Sequence, residues 1–151
     1  MNSPVVLLGI IGPTQLILII VVIALLPQIF YLLTLQNTLS KVSPSNRKMV
    51  PGQVWLSLIP LFGMVWQFIV VTRMADSLQA EFRERGITVP EEKPGYSLGI
   101  AYCVLYCCSI IPILGGLASL GGLVVWIIYW VKINEYKNLI GSRNDSQILD
   151  I

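Results

Sequence analysis

No histidine occurs among the 151 residues. Its absence removes the commonest general base and a usual ligand of catalytic zinc. Charge is also scarce: 12% of residues are charged and 55% are apolar, against about 25% charged in a soluble globular domain. A water-facing surface is hard to build from such a composition, whereas a surface facing lipid needs no charge. Cysteine is confined to Cys103, Cys107 and Cys108. Three so close together cannot staple an extracellular domain, and without a second cluster they make a poor zinc site. They read as small packing residues of a membrane helix. The net charge is only +2, and the densest basic cluster is Arg47-Lys48, so no nucleic-acid partner is expected. The chain has no Gly-x-Ser-x-Gly elbow, phosphate loop or dinucleotide fingerprint. Neither a catalytic residue nor a cofactor or metal site is therefore expected. Met1-Asn2-Ser3-Pro4 lacks the basic region of a signal peptide, so the first apolar stretch is expected to stay in the mature chain.

What the chain does contain is three long stretches without a single charge: residues 1–40, 49–72 and 94–131. As one helix, residues 5–35 would measure about 46 Å, yet the hydrocarbon core is only about 30 Å thick. Gly12-Pro13 supplies a break, because proline suits the first turn of a helix and not its interior. The first span is therefore expected at 14–35, with an apolar interfacial piece at 5–11 and a continuation into water through 36–42. The second is expected at 54–72, bent at Pro60 and extended by a helix over 73–85. In that extension Met74, Leu78 and Phe82 share one face, Glu81 and Arg85 form an i,i+4 pair on another, and Gly86 caps the end. Residues 97–131 would measure about 52 Å as one helix, so two short spans are expected, 97–113 and 117–131. A tight turn around Gly115-Gly116 joins them, and the fourth helix runs on through 132–140. A re-entrant hairpin over 97–131 is the alternative. The expected fold is thus all-α: one domain over 1–151, an integral membrane bundle of four transmembrane helices. Short cytoplasmic helical extensions, a polar loop 73–96 and a polar tail 132–151 complete it.

Orientation follows from the basic residues of the loops. With the amino end inside, Lys41, Arg47 and Lys48 lie outside. Arg73, Arg83, Arg85, Lys93, Lys132, Lys137 and Arg143 lie inside, seven against three. This favours both termini in the cytoplasm of a multi-pass inner-membrane protein. Tyr96, Tyr129 and Trp130 would then mark the inner interface, and Tyr31 and Trp55 the outer one.

One local repetition stands out. Ser57-Leu-Ile-Pro-Leu-Phe-Gly63 is similar to Ser109-Ile-Ile-Pro-Ile-Leu-Gly115, consistent with two hairpins descended from one or with apolar segments alike by chance. The expected spans carry no ionisable side chain, which argues against proton relays and ion-coupled transport. Gln28, Ser57 and Gln67 are the polar groups that remain. Gln28 and Ser57, expected at similar depth, are candidates for an interhelical hydrogen bond. Ala118 and Gly122 are four apart, on one helix face, where small residues permit close backbone packing within the bundle or between subunits. Arg73, Asp76, Arg83 and Arg85 form an ordered inner surface able to dock a partner, and Ser45-Asn46-Arg47-Lys48 a compact basic one outside.

The run Asn46-Arg-Lys-Met-Val-Pro-Gly-Gln-Val-Trp-Leu-Ser-Leu-Ile-Pro-Leu-Phe-Gly-Met-Val-Trp-Gln-Phe-Ile-Val-Val, with Ala75-Asp-Ser-Leu, resembles small multi-span bacterial membrane proteins classed as domains of unknown function. The resemblance covers residues 46–82 and, more loosely, the last two spans. Where that pattern often carries Asn, this chain has Gly63. The resemblance implies a bacterial inner-membrane location and lends no catalytic residue. The function expected from all of this is non-catalytic: a small subunit or scaffold that packs, in the lipid bilayer, with itself as a homo-oligomer or with a larger membrane complex. One alternative is an oligomeric pore without ion coupling, lined by Gln28, Ser57 and Gln67. Another is a lipid-acting enzyme using Asp76, Glu81 and Glu135.

Overall fold

The computed structural model describes residues 12–59, 61–111 and 115–149. Their regular structure is helical throughout, with no strand among them: α1 (Pro13–Lys41), a 3-10 helix (Pro51–Leu58), α2 (Phe62–Glu84), α3 (Tyr96–Cys108) and α4 (Gly115–Leu149). Two stretches, α1 and the Gly115–Asn144 part of α4, are long and apolar enough to cross a membrane. The expected interfacial piece 5–11 and the bend at Pro60 lie outside the described residues, whereas Gly115-Gly116, expected as a turn, are the first residues of α4.

Each boundary has a local cause. Gly12 caps α1: its carbonyl accepts the amides of Gln15 and Leu16 at 2.9 and 3.1 Å. In return its own N–H donates to Oε1 of Gln15 at 2.9 Å, half of a capping box. Gly86, expected to end the extension of the second helix, has φ +63°, a conformation that glycine adopts freely. The chain divides into two compact units, Met1–Leu32 and Leu33–Ile151. In the first, the side chains of Ile17, Ile20 and Ile23 are more than 60% exposed, as in a helix whose solvent is lipid.

The second unit contains two helical hairpins. Residues 54–72, expected as one bent helix, are instead divided between the two arms of the first, the 3-10 helix and α2. Ile59 precedes a proline and is extended, φ −73° and ψ 118°, because a following proline crowds the helical conformation. Leu61 takes φ 63°, and α2 starts at Phe62 and runs back. The return is tight. A Cβ on Gly63 would overlap the carbonyl oxygen of Ser57 and lie 2.8 Å from its carbonyl carbon. Trp66 closes the hairpin by donating from Nε1 to the carbonyl of Gln53 at 2.9 Å. In the second hairpin α3 ends at Cys108, five residues before the expected end of that span, and α4 leads back.

The described residues on either side of the two tips repeat the same contacts. Ile59 N–H donates to Leu56 O at 3.2 Å, and Ile111 N–H, 52 positions later, donates to Cys108 O at 3.1 Å. Gly63 closes on the carbonyl of Ser57, and Gly115 on that of Ser109, where an added Cβ would lie 2.8 Å from the oxygen. Beside the tips Leu61 is 81% and Leu117 84% exposed. The packed core sits at the opposite end, where Leu39, Val71, Met74, Leu78, Tyr129 and Ile133 are fully buried or within 1% of it. There α2, α3 and α4 converge on Gly99: a Cβ would run into Val71 and reach 3.0 Å from the ring of Tyr129. Met74, Leu78 and Phe82 thus face other helices, with Phe82 edge-on to Tyr136 of α4 at 5.4 Å.

Candidate functional site: a polar collar around Glu81

At the base of the hairpins the polar segments bind one another. Glu81 is the hub. Its side chain is wholly buried, and both carboxylate oxygens are occupied. Oε2 accepts the backbone N–H of Ser43 at 3.0 Å and Nδ2 of Asn46 at 2.7 Å. Oε1 accepts the hydroxyl of Ser43 at 2.9 Å and Nε of Arg85 at 2.6 Å, and a second Arg85 nitrogen pairs with the same oxygen. Asn46 also donates to Glu84. Arg85 reaches on to α4, donating to the carbonyl of Ile140 and the side chain of Asn144. One carboxylate and one guanidinium therefore join the loop after α1, the end of α2 and the end of α4. Burial alone would push the Glu81 carboxyl up; the bonds from Asn46, Ser43 and Arg85 outweigh it and hold the carboxyl below its ordinary value.

The loop 86–95 is fastened by a second set of contacts. Lys93 pairs with Asp76 at 2.9 Å, and the hydrogen bond and charge of Asp76 raise the pKa of the ammonium. Gln79 donates to the carbonyl of Glu92 at 2.8 Å. Glu91 accepts the N–H of Gly95 at 2.7 Å and pairs with Lys132. Burial opposes the charge on Glu91, but Lys132 and Gly95 prevail and hold its carboxyl low.

This geometry corrects one expectation. The loop carrying Ser45-Asn46-Arg47-Lys48 was expected outside and the helix 73–85 inside, yet Ser43 and Asn46 hydrogen-bond directly to Glu81, and Lys48 N–H to Ser77 Oγ at 2.9 Å. Bonds of that length cannot bridge a hydrocarbon core of about 30 Å. The Trp assignments change with it. The indole of Trp55 donates to Gln36 and that of Trp130 to Thr34, two residues apart on α1. The two rings lie at one level, not on opposite interfaces.

The remaining candidates fall as follows. Gln67 is buried on α2. Ser57 Oγ is buried with no hydrogen-bond partner among the described residues, and the tip geometry uses its carbonyl instead. Gln28 is half-buried in the first unit. Ala118 is buried, and an added Cβ on Gly122 would meet Cβ of Leu105 at 3.4 Å, so this small face packs against α3 inside its own hairpin. Of the surface set, Arg73 and Arg83 are exposed, Asp76 is held by Lys93, and Arg85 belongs to the hub. Glu135 is exposed, and the three cysteines are free thiols. The hub itself was missed. The signal was spacing: Met74, Leu78, Glu81 and Arg85 follow the 4-3-4 rhythm of a single helix face, which put Glu81 on the buried stripe rather than beside it. Comparison with family models, with curated proteins and with solved structures finds no match to this chain.

Proposed function

We propose that this chain is a non-catalytic membrane scaffold. Both hairpins enter the bilayer from the face that carries the collar, and the collar presents the docking surface to a second copy or to another membrane protein. The observation that carries the reading is the bonding of Ser43 and Asn46 to Glu81, which gathers the polar segments at one end of the second unit while the apolar tips lie at the other. All ten Lys and Arg then share one face, a stronger bias than the seven-to-three split of four antiparallel spans, and the positive-inside rule makes that face cytoplasmic. The 3-10 helix, eight residues long, reaches about 16 Å at 2.0 Å per residue, half the hydrocarbon core. The first hairpin is therefore a shallow re-entrant loop rather than a crossing. α3 and the turn residues after it reach about 25 Å, close to full depth. Lys41, at the end of α1, then lies on the cytoplasmic side with the other nine, where the loop count had placed it outside. The exposed Arg73 and Arg83 remain available to a partner.

Two measurements test this. Native mass in mild detergent, with identification of what co-purifies, is expected to show a second copy or a stoichiometric membrane partner; a lone monomer carrying only lipid would overturn the scaffold. In a background with the three native cysteines changed to serine, Lys48→Cys and Arg83→Cys are expected to react with an impermeant maleimide from the same, cytoplasmic, side. Labelling from opposite sides would restore four antiparallel spans.

A further inference from the structure

We propose that the groove at the base of the first hairpin binds the phosphate of an anionic phospholipid headgroup, with Arg47 and Lys48 as its cationic walls. The groove has a volume of about 370 Å³ and is lined by Pro44, Arg47, Lys48, Met49, Val50 and Gln53, among others, with no acidic residue. Arg47 is held in place by two uncharged acceptors, the carbonyls of Ser40 at 3.2 Å and Val42 at 3.0 Å. Its Nε is buried without a hydrogen-bond partner among the described residues. The ion pairs among those residues belong to Arg85, Lys93 and Lys132, so neither Arg47 nor Lys48 is neutralised by a carboxylate. Glu81 and Glu84, the acids beside this loop, are engaged by Asn46. Two uncompensated cations thus stand beside Met49 and Val50, the latter 61% exposed. A guanidinium with a fixed orientation and an adjacent ammonium suit phosphate oxygens.

Depth selects the lipid. Pro51 opens the 3-10 helix, so the groove lies about 16 Å above the tip. A tip near the bilayer midplane puts the groove at the edge of a core about 30 Å thick, where headgroup phosphates lie. The apolar lining would meet the glycerol and upper acyl region while the cations face the phosphate. This rests on the proposed insertion of the first hairpin from the collar face.

The test is lipid retention by the full-length protein in mild detergent, titrated with phosphatidylglycerol or phosphatidylcholine and read by native mass spectrometry. Phosphatidylglycerol is expected to be retained preferentially. Near an anionic surface each cation is worth a factor of about five in binding. Arg47→Gln with Lys48→Gln should then weaken retention about 25-fold, and Lys48→Gln alone, whose ammonium has no partner to lose, about fivefold. The control Arg73→Gln with Arg83→Gln removes equal charge and should retain the lipid as the parent does. Equal losses in both pairs, equal retention of the two lipids, or displacement by inorganic phosphate at matched concentration would each overturn the proposal. Flotation with neutral phosphatidylcholine vesicles and the maleimide labelling report insertion independently, so a wrong topology is distinguishable from an absent site.

Discussion

Replacing Glu81 by alanine is expected to lower the thermal midpoint of the detergent-solubilised protein by on the order of 10 °C, the largest loss expected from any single side chain. Alanine would leave the Arg85 guanidinium, only 15% exposed, without its counter-charge, and the Ser43 N–H and an Asn46 amide hydrogen without an acceptor. Removing one member of a buried ion pair costs about 3–5 kcal/mol, and for a chain of this size about 1 kcal/mol moves the midpoint by roughly 2–4 °C. Glu81→Gln keeps the shape but removes the charge and puts an amide where an oxygen now accepts. Hydrogen bonds to charged groups contribute about 1.5–3 kcal/mol, so it should cost roughly half as much. If both variants unfold within a degree or two of the parent, Glu81 is not the hub. Because Arg85 also reaches Ile140 and Asn144, the loss should show as earlier proteolysis at the carboxyl end as well as at residues 42–50.

The same carboxylate sets a dependence on pH. Its pKa is lower in the folded protein than the ordinary value of 4.5, so the folded state binds its proton less readily than the unfolded chain does. The stability this contributes is complete above about pH 4.5 and is lost as pH falls through the folded-state value. Glu91 is held low as well and adds to the same acid limb. Midpoints of the parent should therefore be flat from neutrality to about pH 5 and decline below it, and Glu81→Gln should show a shallower decline.

The sequence announced the helices better than the path between them. The start of α1 followed from Gly12-Pro13 and the end of α2 from Gly86, because those residues act locally, whereas Gly115-Gly116, expected as a turn, open α4. The pairing of residues 42–50 with the end of α2 did not follow, since alternation of apolar and polar stretches fixes where the chain meets water but not on which side. The first hairpin was legible in principle. Residues 109–113 were expected to end the third span just before a turn, and their copy at 57–61 to lie inside the second span, although both heptapeptides place an isoleucine before proline and a glycine three residues after it. The 19 residues of the 54–72 window match the length of a membrane crossing, and that length masked the turn. At the collar, Glu81 and Arg85 were legible as an i,i+4 pair. Their burial was not, because it depends on Ser43 and Asn46, more than 30 positions away.

The twin tips yield the sharpest ranking. Gly63→Ala is expected to be strongly destabilising, Gly115→Ala less so, and Gly116→Ala neutral or slightly stabilising. At Gly63 the added methyl overlaps the Ser57 carbonyl oxygen and crowds its carbon at 2.8 Å; at Gly115 the oxygen lies at 2.8 Å but the carbon at 3.7 Å; at Gly116 nothing lies within 4 Å. The obstacle at Gly63 is backbone, which cannot rotate aside as a side chain can, and the turn is already strained by the positive φ of Leu61. Overpacking of this kind costs about 1–3 kcal/mol or more, whereas alanine for glycine inside an open helix gains about 0.5–1 kcal/mol. Trp66 supplies a local reporter, since it bonds to Gln53 and stacks on Phe62 at 5.4 Å, both next to the turn. Its emission should shift in Gly63→Ala and stay unchanged in Gly115→Ala, even where both lower the midpoint. Equal midpoints for the three variants would mean that the heptapeptide does not close these turns. Loss at Gly115 without loss at Gly63 would mean that only the second copy forms a hairpin, and that residues 54–72 cross the bilayer as one helix.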